Sequence, residues 1–516
     1  MPHGRRAPLP TPRLRQAGVS RVRNSLNYHG SGAHERPSVS LLPCFASGAM
    51  LSFFWLEVWV MIVREAKKGF WNVEKNGYRE RVMGIYRLMN DRLYFNRPDL
   101  EIKGEKYNSA ILFSLLTALK QGKELIIGEP GLGKTTSAEF ICSLIYQFPL
   151  GMIWASEVSG HPEQTEEKII GRPDLGKLNQ GEEEVVWTNF TQIPAKIVDE
   201  INRLPETKQS MILDGVDRGN WEYLNEMIIN EEYCLFATAN YQDGGTNTLI
   251  APLVDRFDVM IESKYPGANL SFQVGKNSRK DHFLRHPKIE KEFHHLFKSK
   301  IGYDKKLAKM EELCDTFGEF VHGTLGVRPL QKRDREQIRA EMEDLAYDLD
   351  ASAFTRMVLA EFSFCEHYGQ KRSVENCEEG CHYSGYLCHE VKNCASNRLP
   401  TSIKQYAQGL AWLLQDSEID IEHIKSVIPF TLAHRVQWKD QVLSQKERAK
   451  RDDPFSIYLM KEAIKVILQR YREQSDHLKD ALAVGSRIFQ GESLEPLEGD
   501  HPLYQEIKKD LERQKH

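Results

Sequence analysis

The run Gly128-Glu129-Pro130-Gly131-Leu132-Gly133-Lys134-Thr135-Thr136 has the glycine, lysine and hydroxyl spacing of a phosphate-binding loop. Glycines at 128, 131 and 133 let the backbone curl so that successive N–H groups face phosphate oxygens. Lys134 is placed to reach β- and γ-phosphates, and the Thr135 hydroxyl to ligate Mg²⁺. Leu125 to Ile127 read as the end of a buried strand, and Ser137 to Tyr146 as a helix whose positive end faces the loop. A chance glycine-rich turn would lack both flanks, so the expected ligand is ATP or another nucleoside triphosphate.

A second chemical unit lies at Lys196-Ile197-Val198-Asp199-Glu200, an apolar strand ending in adjacent carboxylates. Beside the loop, Asp199 would enter the Mg²⁺ shell and Glu200 would orient or deprotonate an attacking water. Taken alone, such a pair is more often a solvated acidic turn.

From 123 to 262 strand-like runs alternate with helical patterns, the signature of a parallel α/β sheet. After Tyr265-Pro266-Gly267 the pattern is helical to the end. The expected division is 1–66 without a packed core, 67–266 an α/β nucleotide-binding domain, 267–437 a helical lid interrupted by a Cys-rich insertion at 365–394, and 438–516 a charged helical extension.

The order of motifs resembles AAA+ ATPases of the MoxR type. The resemblance rests on Asp199-Glu-Ile-Asn-Arg203, Pro205, Phe236-Ala-Thr-Ala-Asn240, Leu253-Val-Asp-Arg256-Phe257, Ser396-Asn-Arg398 and Ala433-His-Arg435. It implies a P-loop AAA+ core followed by an all-helical lid. It also implies that Asn240 is sensor 1, Arg256 an arginine finger reaching a neighbouring subunit, and Arg398 sensor 2. The family has Ser-Pro-Arg where this chain has Ser396-Asn-Arg398, and Arg328 in Gly326-Val-Arg-Pro329 competes for that role. By the same resemblance, residues 160–186 and the stretch near Asn220 to Tyr223 are hairpins that face a central pore or substrate. The resemblance also implies a homo-oligomeric ring, a hexamer, coupling ATP hydrolysis to remodelling of a client, with a von Willebrand factor A domain protein as partner.

Cys377, Cys381, Cys388 and Cys394 fall within 18 residues, with Cys365 upstream and His367, His382 and His389 as further donors. Four thiolates suit tetrahedral zinc, and an iron–sulfur cluster uses the same ligands. Independent thiols or a disulfide pair are the plainer reading.

The chain has 516 residues, a formal charge of −4 and a pI near 6.5, which disfavours a protein that coats nucleic acid. An alternative nucleic-acid motor, akin to minichromosome maintenance helicases, would need a local basic channel; a nucleotide-gated scaffold would bind ATP without turnover. Residues 1–40 are rich in Arg, Pro, Gly and Ser, and no Lys precedes Lys67. The expectation is translation from Met50 or Met61, with membrane contact through residues 50–63 or a buried helix as alternatives. Nine cysteines and the lack of a secretory signal place the protein in the cytoplasm.

Overall fold

The computed structural model describes residues 72–241, 249, 251–276, 283–363 and 385–489, with isolated positions from 503 to 509. The expected segments 1–66 and 50–63, and Cys365, Cys377 and Cys381, lie outside the described residues.

Five strands build the central sheet: β3 (Lys123–Ile127), β4 (Val158–Ser159), β7 (Ala195–Asp199), β10 (Cys234–Ala239) and β11 (Val259–Glu262). They lie in the order β11-β3-β10-β7-β4, and every neighbouring pair is parallel. Leu125, Ile126, Ile197, Val198, Leu235, Phe236 and Met260 are buried, as expected of strands covered on both faces. Small antiparallel pairs stand apart from this sheet: β1 (Leu100–Ile102) with β2 (Glu105–Tyr107), β5 (Gly171–Pro173) with β6 (Val185–Trp187), and β8 (Asn220–Tyr223) with β9 (Glu226–Ile229). The last two are hairpins where the sequence places them. A hydrogen bond from Val185 N–H to Glu226 Oε1 (3.0 Å) ties one to the other.

The longer helices are α1 (Asn72–Leu88), α2 (Ser109–Lys120), α3 (Lys134–Tyr146), α4 (Glu206–Arg218), α5 (Pro287–Lys298), α6 (Tyr303–Leu325), α7 (Lys332–Glu343), α8 (Leu349–Ser363), α9 (Arg398–Leu414), α10 (Ile421–Leu432) and α11 (Phe455–Phe489). Helix α2 is apolar all round and buried along its whole length. It packs against α3, β10 and β11 on the sheet side and α9 on the other. Gly409 permits the last contact, since a Cβ there would meet Leu116 at 2.8 Å. The C-terminal helix α11 is no appendage: it packs on α8 and α10. Lys264, just past β11, joins it to the sheet by binding Asp453 (2.9 Å) and Asp99 (3.0 Å).

Two buried polar joints connect lid and sheet. Arg335 of α7 forks onto Glu232 (2.9 and 2.7 Å), both side chains 7% exposed, and Arg339 adds a third bond. Burial alone would raise the Glu232 carboxyl, but the hydrogen bonds and charges of Arg335 and Arg339 hold it below the usual range. Glu124 of β3 is the second, accepting from Ser114 and Thr117 (2.8 Å each), with Thr117 bonded onward to Tyr406 of α9. Burial pushes its carboxyl up to about 8 despite those hydroxyls.

The unfolded chain releases that proton near 4.5, the folded one only at about 8. Stability should therefore fall as pH rises between these values and level off above them. Glu124→Gln, which keeps the neutral form, should flatten this slope in thermal melts; an unchanged slope would show that Glu124 is not its source.

Candidate active site

Strand register brings the carboxyl ends of β3, β7 and β10 to one edge, pairing Ile127 with Ala239 and Val198 with Ala237. The phosphate loop, Asp199-Glu200 and Asn240 therefore leave the sheet side by side. Gly131 and Gly133 adopt left-handed φ of 80° and 74°, and Gly133 caps the N-terminus of α3. Glu129, Pro130, Leu132 and Thr136 complete the loop.

The Lys134 ammonium donates to Gly128 O (2.7 Å), Glu129 O (3.0 Å) and Asn240 Oδ1 (2.7 Å). Burial pulls its pKa down, with the charges of Asp199, Glu200 and Glu129 opposing that shift. Asn240 turns its amide nitrogen to Glu200 Oε1 at 2.6 Å, so one side chain links the lysine to the carboxylate. Asp199 Oδ1 accepts from Thr135 Oγ1 and Thr238 Oγ1, each at 2.6 Å.

Glu200 has a left-handed φ of 52°, an uncommon setting for a residue with a Cβ. Two contacts hold it: its N–H donates to Thr238 Oγ1 (2.9 Å), and its Oε2 pairs with Arg203 Nε (3.0 Å). Thr238 and Arg203 are functional positions to which sequence reasoning gave no role. The alternation of a strand offered a signal, because Thr238 shares a face with Asn240 two residues on.

Hard oxygen donors at Thr135 and Asp199 are the type Mg²⁺ takes, and the loop's N–H groups with Lys134 suit a polyphosphate. The residues present thus fit both ligands.

Arg256 and Arg398 lie elsewhere. Asp258 N–H donates to Lys123 O (2.8 Å), which fixes the loop 255–258 at the start of β3. The strand between that point and the phosphate loop spans about 13 Å. Arg256 binds Asp214 of α4, with Asp217 at 3.8 Å, and not the neighbouring Asp255 or Asp258. Asp255 instead receives Arg398 (3.1 Å), so both candidate arginines occupy one edge of the molecule. Arg328 is exposed, and Pro329 beside it packs near Gln147 at the C-cap of α3, the end remote from the loop.

Cys388 is buried on the short helix Leu387–Glu390 and Cys394 is half-buried after it. Among the described residues, Asp416, Asp420 and His423 also lie within ligand distance of one another. Lys103 already bridges both carboxylates there, at 2.6 and 2.7 Å. Among the described residues no single helix is long and apolar enough to cross a membrane.

A Cβ on Gly160 would stand 2.0 Å from Glu200 O. Gly160→Ala must therefore displace Glu200, and should cost about 1–3 kcal/mol in denaturant unfolding. Wild-type stability would show that the Glu200 turn yields freely.

Residues 124–257 match the AAA domain (dynein-related subfamily). The crystal structure of a candidate ATPase from Cytophaga hutchinsonii ATCC 33406 superposes with a TM-score of 0.51 at 17% identity, covering 79% of this chain and 98% of that one. Comparison with curated proteins finds no match. The parallel 11-3-10-7-4 sheet, the loop at its strand ends and the helical region that follows are those of a P-loop AAA+ fold, with the match to the AAA domain confined to residues 124–257.

Proposed function

We propose that this chain is a Mg²⁺-dependent ATP hydrolase of the MoxR type, working in a ring to remodel a client protein or complex. The observation that carries the reading is the pair of linked networks at one sheet edge: Lys134–Asn240–Glu200 and Thr135–Asp199–Thr238. Glu200 is the base, and Asn240 aims its carboxylate while sensing charge through Lys134. Mg²⁺ held by Thr135 and Asp199 would neutralise charge on the phosphate oxygens. Lys134 adds a second positive charge, which its three neutral acceptors leave available for phosphate.

Arg256 and Arg398 belong to the opposite end of β3, so they serve the nucleotide of an adjacent copy. This is the geometric reason for a ring. The client reading is supported by the tied hairpins. Leu175, Leu178, Val186, Leu224 and Met227 are 67%, 45%, 42%, 37% and 53% exposed there. Glu167, Glu183 and Glu222 are exposed on the same stretches. An apolar, acidic surface suits a polypeptide and repels a phosphate backbone. A von Willebrand factor A domain partner belongs to the same proposal, as does zinc, or an iron–sulfur cluster, on Cys377, Cys381, Cys388 and Cys394.

Glu200→Gln should lower kcat by at least about 100-fold with ATP affinity retained, since it removes the base and keeps the hydrogen-bonding shape. Unchanged turnover would remove Glu200 from this role. Arg256→Ala should lose about 1,000-fold, and mixing with Glu200→Gln subunits should restore activity by supplying intact fingers. Elemental analysis of the purified chain should find zinc or iron bound; a metal-free protein with four titratable thiols would end the metal proposal.

A further inference from the structure

The loop that carries Arg256 is fastened to the lid as well as to the sheet, where Asp258 exchanges two hydrogen bonds with the Lys123 backbone (2.8 and 2.9 Å). Arg435, 6% exposed and just beyond α10, donates from Nε to Asp255 Oδ1 (3.2 Å). Its Nη1 donates to Asp258 O (3.2 Å) and Thr431 O (2.6 Å). Its Nη2 donates to Phe257 O (2.7 Å), Asp255 O (3.3 Å) and Ser402 Oγ (3.1 Å). Ser402 of α9 closes the circuit by donating to Asp258 Oδ1 (2.8 Å). His434 adds a bond from Nε2 to Phe257 O (2.9 Å), and Ser396 one to Asp255 Oδ1 (2.7 Å).

Every residue of the loop except Arg256 is thus held by lid atoms. Arg256 alone turns away, onto Asp214 of α4. A buried guanidinium satisfied by main-chain carbonyls has discrete geometry, unlike an apolar contact, which can slide. Arg435 therefore couples the position of the lid to the loop that β3 also holds through Lys123.

We infer that Arg435 is a positioning residue for hydrolysis in the adjacent subunit, welding the 255–258 loop to the lid so that Arg256 is presented as part of the lid. The inference rests on the proposed action of Arg256 on a neighbour's nucleotide. It adds that the lid of one subunit sets the finger seen by the next, without Arg435 touching nucleotide itself.

The test uses the full chain in mixed rings. Arg435→Gln should lower kcat about 100-fold, the size of effect that a misplacement near 1 Å produces, while ATP affinity stays unchanged. Adding Glu200→Gln subunits, whose own turnover is lost but whose fingers are intact, should restore turnover at the Arg435→Gln sites. A lid damaged only in its own subunit would not be rescued in this way. Wild-type kcat in Arg435→Gln, or failure of this rescue while Arg256→Ala is rescued, overturns the inference. Failure of both rescues overturns the reading of Arg256 and this inference with it. If Arg435→Gln does not fold, Arg435→Lys and Ser402→Ala carry the test: each keeps part of the circuit and should show a smaller kcat loss rescued by the same neighbours. Normal kcat in both would overturn the inference.

Discussion

One oxygen atom ties the nucleotide edge together. Asp199 Oδ1 accepts from Thr135, at the start of α3, and from Thr238, on β10. It thereby links three chain segments more than 35 residues apart. Thr238 also receives the N–H of Glu200, so the same hydroxyl that fixes the Asp199 carboxylate fixes the backbone of Glu200. The left-handed φ of Glu200 is the cost of this arrangement. An uncommon backbone setting persists only when its surroundings over-determine it, and the Thr238, Arg203 and Gly160 contacts do so.

The sheet then acts as a spacer between two kinds of charge. Acidic and phosphate-facing groups gather where β3, β7 and β10 end. The arginines gather where β3 begins, around Asp255 and Asp258. On the proposed reading of Arg256 as a finger, the length of β3 between these two ends, about 13 Å, is the reason its nucleotide is assigned to a second copy.

How legible this was depends on the range of each contact. The loop Gly128 to Thr136 and the strand ending in Asp199-Glu200 were readable because each is a local pattern with its own flanks. The hairpins were readable from turn residues, although the turn at Leu224-Asn225 uses two non-glycine residues at positive φ. Thr238 and Arg203 were present in the motifs yet had no role assigned, because a role there exists only once β7 and β10 are paired. Arg435 was quoted as the end of a family pattern, while its partners lie about 180 residues upstream. The packing of α11 on α8 and α10 was equally hidden: its charged, amphipathic sequence does not say which apolar stripe will cover it.

Alongside the apolar packing of α9 and α10 on α2, the lid is joined to the sheet by buried polar bonds. Arg335 with Glu232 and Arg435 with the 255–258 loop are both nearly removed from water. Replacing such pairs with apolar residues often leaves a protein as stable, so stability is a weak reason for them. Their consequence is geometric. A forked guanidinium accepts one arrangement of carbonyls and carboxylates and rejects its near neighbours, so each joint is either made or broken. Two such joints, one beside the C-terminal end of α3 and one beside the start of β3, define a rigid connection between lid and sheet.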